Sequence, residues 1–170
     1  LLSQIDQLKD QSQGIFAWTN LPWLYVTMAV MKLLHEFAHG VVCKRFGGSV
    51  QTFGLMFLVT TPLPYVDTSA SWTFSNKNER IFVSSAGMLA DLFMASIGAI
   101  IWSQTGPGLV NSFSFNVMLI GSVSSLLFNG NPLLRFDAYY VLSDYLDIPN
   151  LYTKAQKFWF YLGEKYILGN

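Results

Sequence analysis

The chain has 170 residues, of which 52% are hydrophobic and 16% aromatic, and only 12% are charged, about half the charged share of an ordinary soluble domain. Ten basic and ten acidic residues cancel to zero formal charge, and the absence of a basic stripe argues against a nucleic-acid partner. So few charges cannot clothe a water-facing surface, so the expected class is an α-helical multi-pass membrane protein. Cys43 is the only cysteine, which excludes an intrachain disulfide. No initiator methionine and no charged segment precede the first apolar run, so no signal peptide is visible, and the chain reads as a piece of a longer protein.

Residues 1–20 form an amphipathic N-terminal segment, with Leu1, Leu2, Ile5 and Leu8 at helical spacing up to a break at Gly14. The first long apolar helix is predicted over 21–46, with Asn20 as its cap, Pro22 in its first turn and Gly47-Gly48 at its end. Its apolar face is interrupted by Lys32, His35, Glu36 and His39. Polar groups at membrane depth are costly and mark a functional site by default. Residues 49–66 are apolar and β-branched but broken by Gly54, Pro62 and Pro64, the pattern of a small β-hairpin or re-entrant segment.

A polar loop is expected over 72–80, then a spanning helix over 81–103 with one interior acid, Asp91. Its small residues, among them Ser85, Ala86, Gly87 and Ala90, would allow a neighbouring helix to approach closely. After a connector at 105–112, a third span is predicted over 113–128. It breaks at Asn129-Gly130-Asn131-Pro132 and resumes over 133–146 with Arg135 and Asp137. Residues 151–170 carry lysines among Phe158, Trp159, Phe160 and Tyr161, reading as an interfacial helix or the start of a further span. Lys44, Arg45, Lys77 and Arg80 flank the loop at 47–79, and the 105–112 connector has no basic residue. The loop should therefore be cytosolic. With a rise of about 1.5 Å per residue, His35 and His39 lie roughly 14 and 8 Å from Lys44, inside the bilayer but nearer its cytosolic face.

His35-Glu36-Phe37-Ala38-His39 reads H-E-x-x-H on a helix. Histidines four apart share a face and can hold one metal ion, and a glutamate beside them can handle a water. These are the only two histidines in the chain, and catalytic zinc usually takes three protein ligands.

With these motifs the sequence resembles the site-2 protease family of intramembrane zinc metalloproteases. That family's second motif, N-x-x-P-x-x-x-x-D-G, is matched in spacing by Asn129, Pro132 and Asp137. The segment Ser85 through Asp91 is similar to its A-G-P-x-x-N helix motif. The resemblance covers residues 21–150 as an intramembrane metalloprotease core of three transmembrane helices. The stretches around 53–67 and 129–140 look most like the branch of peptide zinc metalloproteases, some of them joined to export machinery. It implies zinc as cofactor, Asp137 as third ligand beside His35 and His39, and Glu36 as catalytic general base. It also implies Asn129 and Pro132 in the substrate cleft, and as substrate a transmembrane or membrane-delivered peptide. Membrane lipid and export-complex subunits are the other expected partners, and the expected location is the bacterial cytoplasmic membrane.

Ala138 departs from the family's glycine. If that position needs positive φ or close backbone approach, the methyl group disfavours the ligand loop. Met88 and Asp91 depart from the helix motif's proline and asparagine. Asp91 has two readings, a hydrogen-bond acceptor for a ligating imidazole or a protonated acid paired between helices. Cys43 is a further candidate ligand or a small buried hydrophobe. Arg135 is an oxyanion holder or a side chain reaching for the interface. Asp67, Glu79, Asp144 and Asp147 read as solvated charges. Two rival functions share the residues: a catalytically inactive zinc-binding scaffold of an export complex, and an ion-transport subunit.

Overall fold

The computed structural model describes residues 8, 9, 11–58 and 61–167. Helix α1 is Leu21–Arg45, followed by a hairpin of β1, Phe53–Leu58, and β2, Thr61–Val66. A 3-10 turn at Ser69–Thr73 leads into helix α2, Lys77–Gln104. Helix α3, Leu109–Val123, runs on as a π-helical turn, Ser124–Asn129; α4 is Asp137–Tyr145 and α5 is Leu151–Ile167. The fold is thus mostly helical with one two-stranded antiparallel sheet.

Local chemistry accounts for most boundaries. Proline fits the first turn of α1, where its missing N–H is not needed. Gly47 ends that helix with φ 85°, a left-handed conformation that costs glycine least. The Asn76 side chain accepts a hydrogen bond from the Asn78 N–H and caps α2. In the hairpin, Leu55 faces Pro64 and Phe57 faces Pro62. Proline has no N–H to give, so the bonded pairs are Gly54–Tyr65, Met56–Leu63 and Leu58–Thr61, and both prolines turn their nitrogens away from β1.

Three helical stretches, Leu21–Arg45, Lys77–Gln104 and Leu109–Asn129, are long and apolar enough to cross a membrane. Only 33, 33 and 39% of their most apolar windows is buried within the protein, so large side chains such as Phe37, Leu89, Phe93 and Ile100 face outward. An exposed apolar band of this extent is what lipid or a partner covers. The interior mixes apolar side chains such as Met31, Val83, Trp102 and Phe115 with the buried polar residues Thr27, Asn111, Ser114, Asn116, Ser125 and Asn129. Helix α2 packs against α1, α3 and α4, and β2 packs against α1. A Cβ on Gly121 of α3 would stand 2.7 Å from the Asp91 carbonyl of α2. Glycine there lets the two backbones meet beside Asp91.

Several expectations change. Asn20 stands at the N-cap position of α1, but its side chain makes no capping hydrogen bond. Its amide exchanges hydrogen bonds with Asn116, at 3.0 and 3.3 Å, and donates to the Ile15 carbonyl. A cross-helix amide pair in a low-dielectric interior outweighs a local cap. The loop at 72–80 is shorter than expected, since Lys77 already opens α2. The third span begins at Leu109, not 113, and the chain stays in turns until Asp137 rather than resuming helix at 133. Asn131 holds this stretch in a turn: its side-chain oxygen accepts from the Leu133 N–H at 3.0 Å and its carbonyl from the Leu134 N–H at 3.2 Å. Asp144 is no solvated charge: its carboxylate takes the Arg80 guanidinium at 2.7 Å. Of the amphipathic segment expected over 1–20, residues 1–7 and 10 lie outside the described residues; among those described, 8, 9 and 11–13 are helical and the helix ends at Gly14.

Candidate metal centre

Helical periodicity places His35 and His39 on one face of α1, and both are buried. Their outer nitrogens are fixed by α2. His35 Nδ1 lies 2.9 Å from Asp91 Oδ2, and His39 Nδ1 lies 2.7 Å from the Val83 carbonyl oxygen. A carbonyl only accepts, so His39 Nδ1 must carry the hydrogen and its Nε2 keeps a lone pair. The Asp91 carboxylate imposes the same tautomer on His35. Asp91 Oδ2 also lies 3.1 Å from the Ser125 hydroxyl, which the π-helical turn carries to α2. Such turns recur at functional sites because one inserted residue re-aims its neighbours.

The two Nε2 atoms then face one another at 3.2 Å, and Asp137 Oδ2 lies 3.2 Å from His35 Nε2 and 3.5 Å from His39 Nε2. Asp137 opens α4, and α4 packs on α2, which is how a residue about a hundred positions later reaches the histidines. Its Oδ2 is buried without a hydrogen-bond partner. Three lone-pair donors converging with no hydrogen between them is unfavourable unless a cation joins them. Ligand atoms around tetrahedral zinc stand roughly 3.3 Å apart, given bonds of about 2.0–2.2 Å. The observed triangle fits, and the donor set of two imidazoles and one carboxylate is one zinc accepts. Among the described residues His35, His39 and Asp137 are the group able to hold a metal ion.

Gly87 completes the arrangement. A Cβ built there would stand 2.5 Å from His39 Nε2 and nearer still to His35 Nε2. Any side chain at this position would press on both histidine nitrogens.

Glu36 is half-buried, beside the histidines in sequence, with no hydrogen bond or ion pair among the described residues. Cys43 is buried but outside the converging group. Arg135 does not face the ligands: its guanidinium stacks 3.9 Å over the Tyr152 ring of α5. Ala138 sits within α4, and the only non-glycine residues with positive φ are Asp147 and Asn150 among those described. Its methyl group therefore meets no backbone strain of the kind glycine would relieve.

A cavity of about 620 Å³ lies between α1, β2 and the π-helical turn. Its lining is largely apolar, with Met28, Leu63, Ile120 and Phe136, and it reaches Lys32, Asp91 and Asn129. Asn129 is buried and its Nδ2 has no hydrogen-bond partner. Pro132 is exposed in the turn and stands outside this cavity.

An uncharacterized protein of Methanocaldococcus jannaschii is 33% identical over 92 residues. The match takes in 51% of this chain, and about a quarter of the relative's own length is covered. No family model matches the chain, and no solved structure matches it.

Spacing alone missed three contributors. Gly87 was legible as one of a run of small residues, which points to helix approach rather than ligand clearance. Ser125 has no sequence signal within an apolar stretch, and the Val83 contribution is a backbone carbonyl that any residue would supply.

Proposed function

We propose that this chain is the core of an intramembrane zinc metalloprotease of the site-2 protease type, cutting peptides within or delivered to the membrane. The observation that carries the reading is the meeting of His35 Nε2, His39 Nε2 and the otherwise unpartnered Asp137 Oδ2 beside a half-buried glutamate. His35, His39 and Asp137 would hold the zinc, leaving a fourth position open. Bound zinc supplies Lewis acidity there, lowering the pKa of a water toward about 7.

The rest is done by the chain's own groups. Asp91 and the Val83 carbonyl hold both imidazoles in the tautomer that points lone pairs at the ion. Glu36 accepts a proton from the attacking water as the new C–O bond forms, then passes it to the leaving amine as the C–N bond breaks. A helical substrate hides its carbonyls, so it must unwind. The outer edge of β1 offers N–H and C=O groups at Phe53, Leu55 and Phe57 to an extended chain, whereas Pro62 and Pro64 strip donors from the outer edge of β2. The helical backbone at Ala138 removes one argument for an inactive scaffold.

Glu36→Gln tests the proposal. It keeps size and hydrogen bonding but cannot take the proton at neutral pH. Cleavage of single-span peptides carrying helix breakers, co-reconstituted with the protein, should fall at least about a hundredfold while zinc content stays the same. Equal cleavage by both proteins would sink the mechanism.

A further inference from the structure

Lys32 is the one charged residue of the apolar face of α1 that the proposed chemistry leaves idle. It lies eleven residues after Leu21 and thirteen before Arg45, which is about 16 and 20 Å along the helix at about 1.5 Å per residue. Half of a hydrocarbon core is about 15 Å thick, and lysine has only a four-carbon stem. In the membrane reading its ammonium therefore cannot reach either headgroup layer, and a charge at that depth needs a partner. Among the described residues it has no hydrogen bond and no ion pair. It lines the cavity of about 620 Å³ that also meets the unpartnered amide of Asn129. Asp91, the acid in that lining, is engaged through its Oδ2 by His35 and Ser125.

Two donors without a hydrogen bond among the described residues, the Lys32 ammonium and Asn129 Nδ2, are thus set among largely apolar side chains. We infer that the cavity is a substrate subsite that takes a carboxylate on an apolar peptide segment, with Lys32 as the group that recognises it. This rests on the peptidase reading and adds to it a substrate class. The carboxylate has two sources, a free peptide C-terminus or an acidic side chain within an apolar stretch. Pairing in a desolvated cavity makes the discrimination large, because the ammonium otherwise stays unmatched when substrate binds. A lysine that served only to pair with Glu36 one turn later would give no such preference.

Binding is the readout. Three fluorescent leucine-alanine peptides of equal length would be titrated against the purified protein in detergent: one with a free C-terminus, one amidated, and one amidated with an internal glutamate. Wild type and, to hold cleavage at zero, Glu36→Gln would be run in parallel. One of the carboxylate peptides should bind roughly tenfold tighter than the neutral one, and which of the two does so identifies the source. Lys32→Met, similar in length and apolar, should erase the difference, and Lys32→Arg should retain most of it. If Lys32→Met does not purify as a single species, Lys32→Gln takes its place. Equal binding of all three peptides, a preference that survives loss of Lys32 (as direct binding of carboxylate to metal would), or no binding by any of them overturns the inference. Preferential binding without any cleavage would defeat the hydrolase reading alone. Cleavage without preference would defeat this inference alone.

Discussion

The α-carbon of Gly87 faces the paired ligand nitrogens so closely that an added Cβ would lie 2.5 Å from His39 Nε2 and closer to His35 Nε2. Both imidazoles are pinned at Nδ1, so neither can swing aside without giving up a hydrogen bond. The glycine thus keeps clear the space beside the two histidine nitrogens.

Gly87→Ala should therefore cost metal binding. Alanine favours the helix interior by about 0.5–1 kcal/mol over glycine, so any loss of stability would come from the contact with the imidazoles and not from α2 itself. Zinc content of purified protein, read by elemental analysis, should fall to a small fraction of the wild-type level. Full zinc occupancy in Gly87→Ala would show that the ion does not sit among these nitrogens.

Removing the unpartnered carboxylate should be as damaging. Asp137→Ala leaves two protein ligands, and zinc should be lost during dialysis that the wild type withstands. Asp91→Asn keeps a hydrogen-bond acceptor for His35 and should weaken zinc affinity by about tenfold to a hundredfold, the usual effect of altering a ligand's support. Cys43→Ala, outside the cluster, should leave affinity unchanged. A ranking with Asp91→Asn worse than Asp137→Ala would make Asp137 the wrong third ligand.

Ala138→Gly should bring no gain in activity, because Ala138 is helical with no positive φ. A helix-interior glycine is instead expected to cost about 0.5–1 kcal/mol, lowering the thermal midpoint. A large rise in peptide cleavage on Ala138→Gly would mean that close backbone approach, not φ, matters there.

The basic residues around 44–80 and their absence from 105–112 predict an orientation with the 47–79 loop in the cytosol. In a Cys43→Ala background, single cysteines at Asn76 and Gly108 should react with membrane-impermeant maleimide from opposite sides, Gly108→Cys from outside intact cells. Labelling of Gly108→Cys only from the cytosolic side would reverse the topology.

Local sequence determined the three apolar helices, the hairpin with its two prolines and the shared face of His35 and His39, because each depends on residues within a few turns of one another. The centre itself was decided by tertiary structure. Asp137 reaches the histidines only because α4 docks on α2, Asp91 and the Val83 carbonyl fix the tautomers from a different helix than the one they act on, and Gly87 matters only where α1 leans on α2. Asn20 shows the same limit from the other side. Its sequence neighbours put it at the helix cap, and an amide on α3, ninety-six residues away, took its side chain. Such contacts join residues far apart in the chain, and their energy depends on how helices pack in a medium that offers polar groups few other partners.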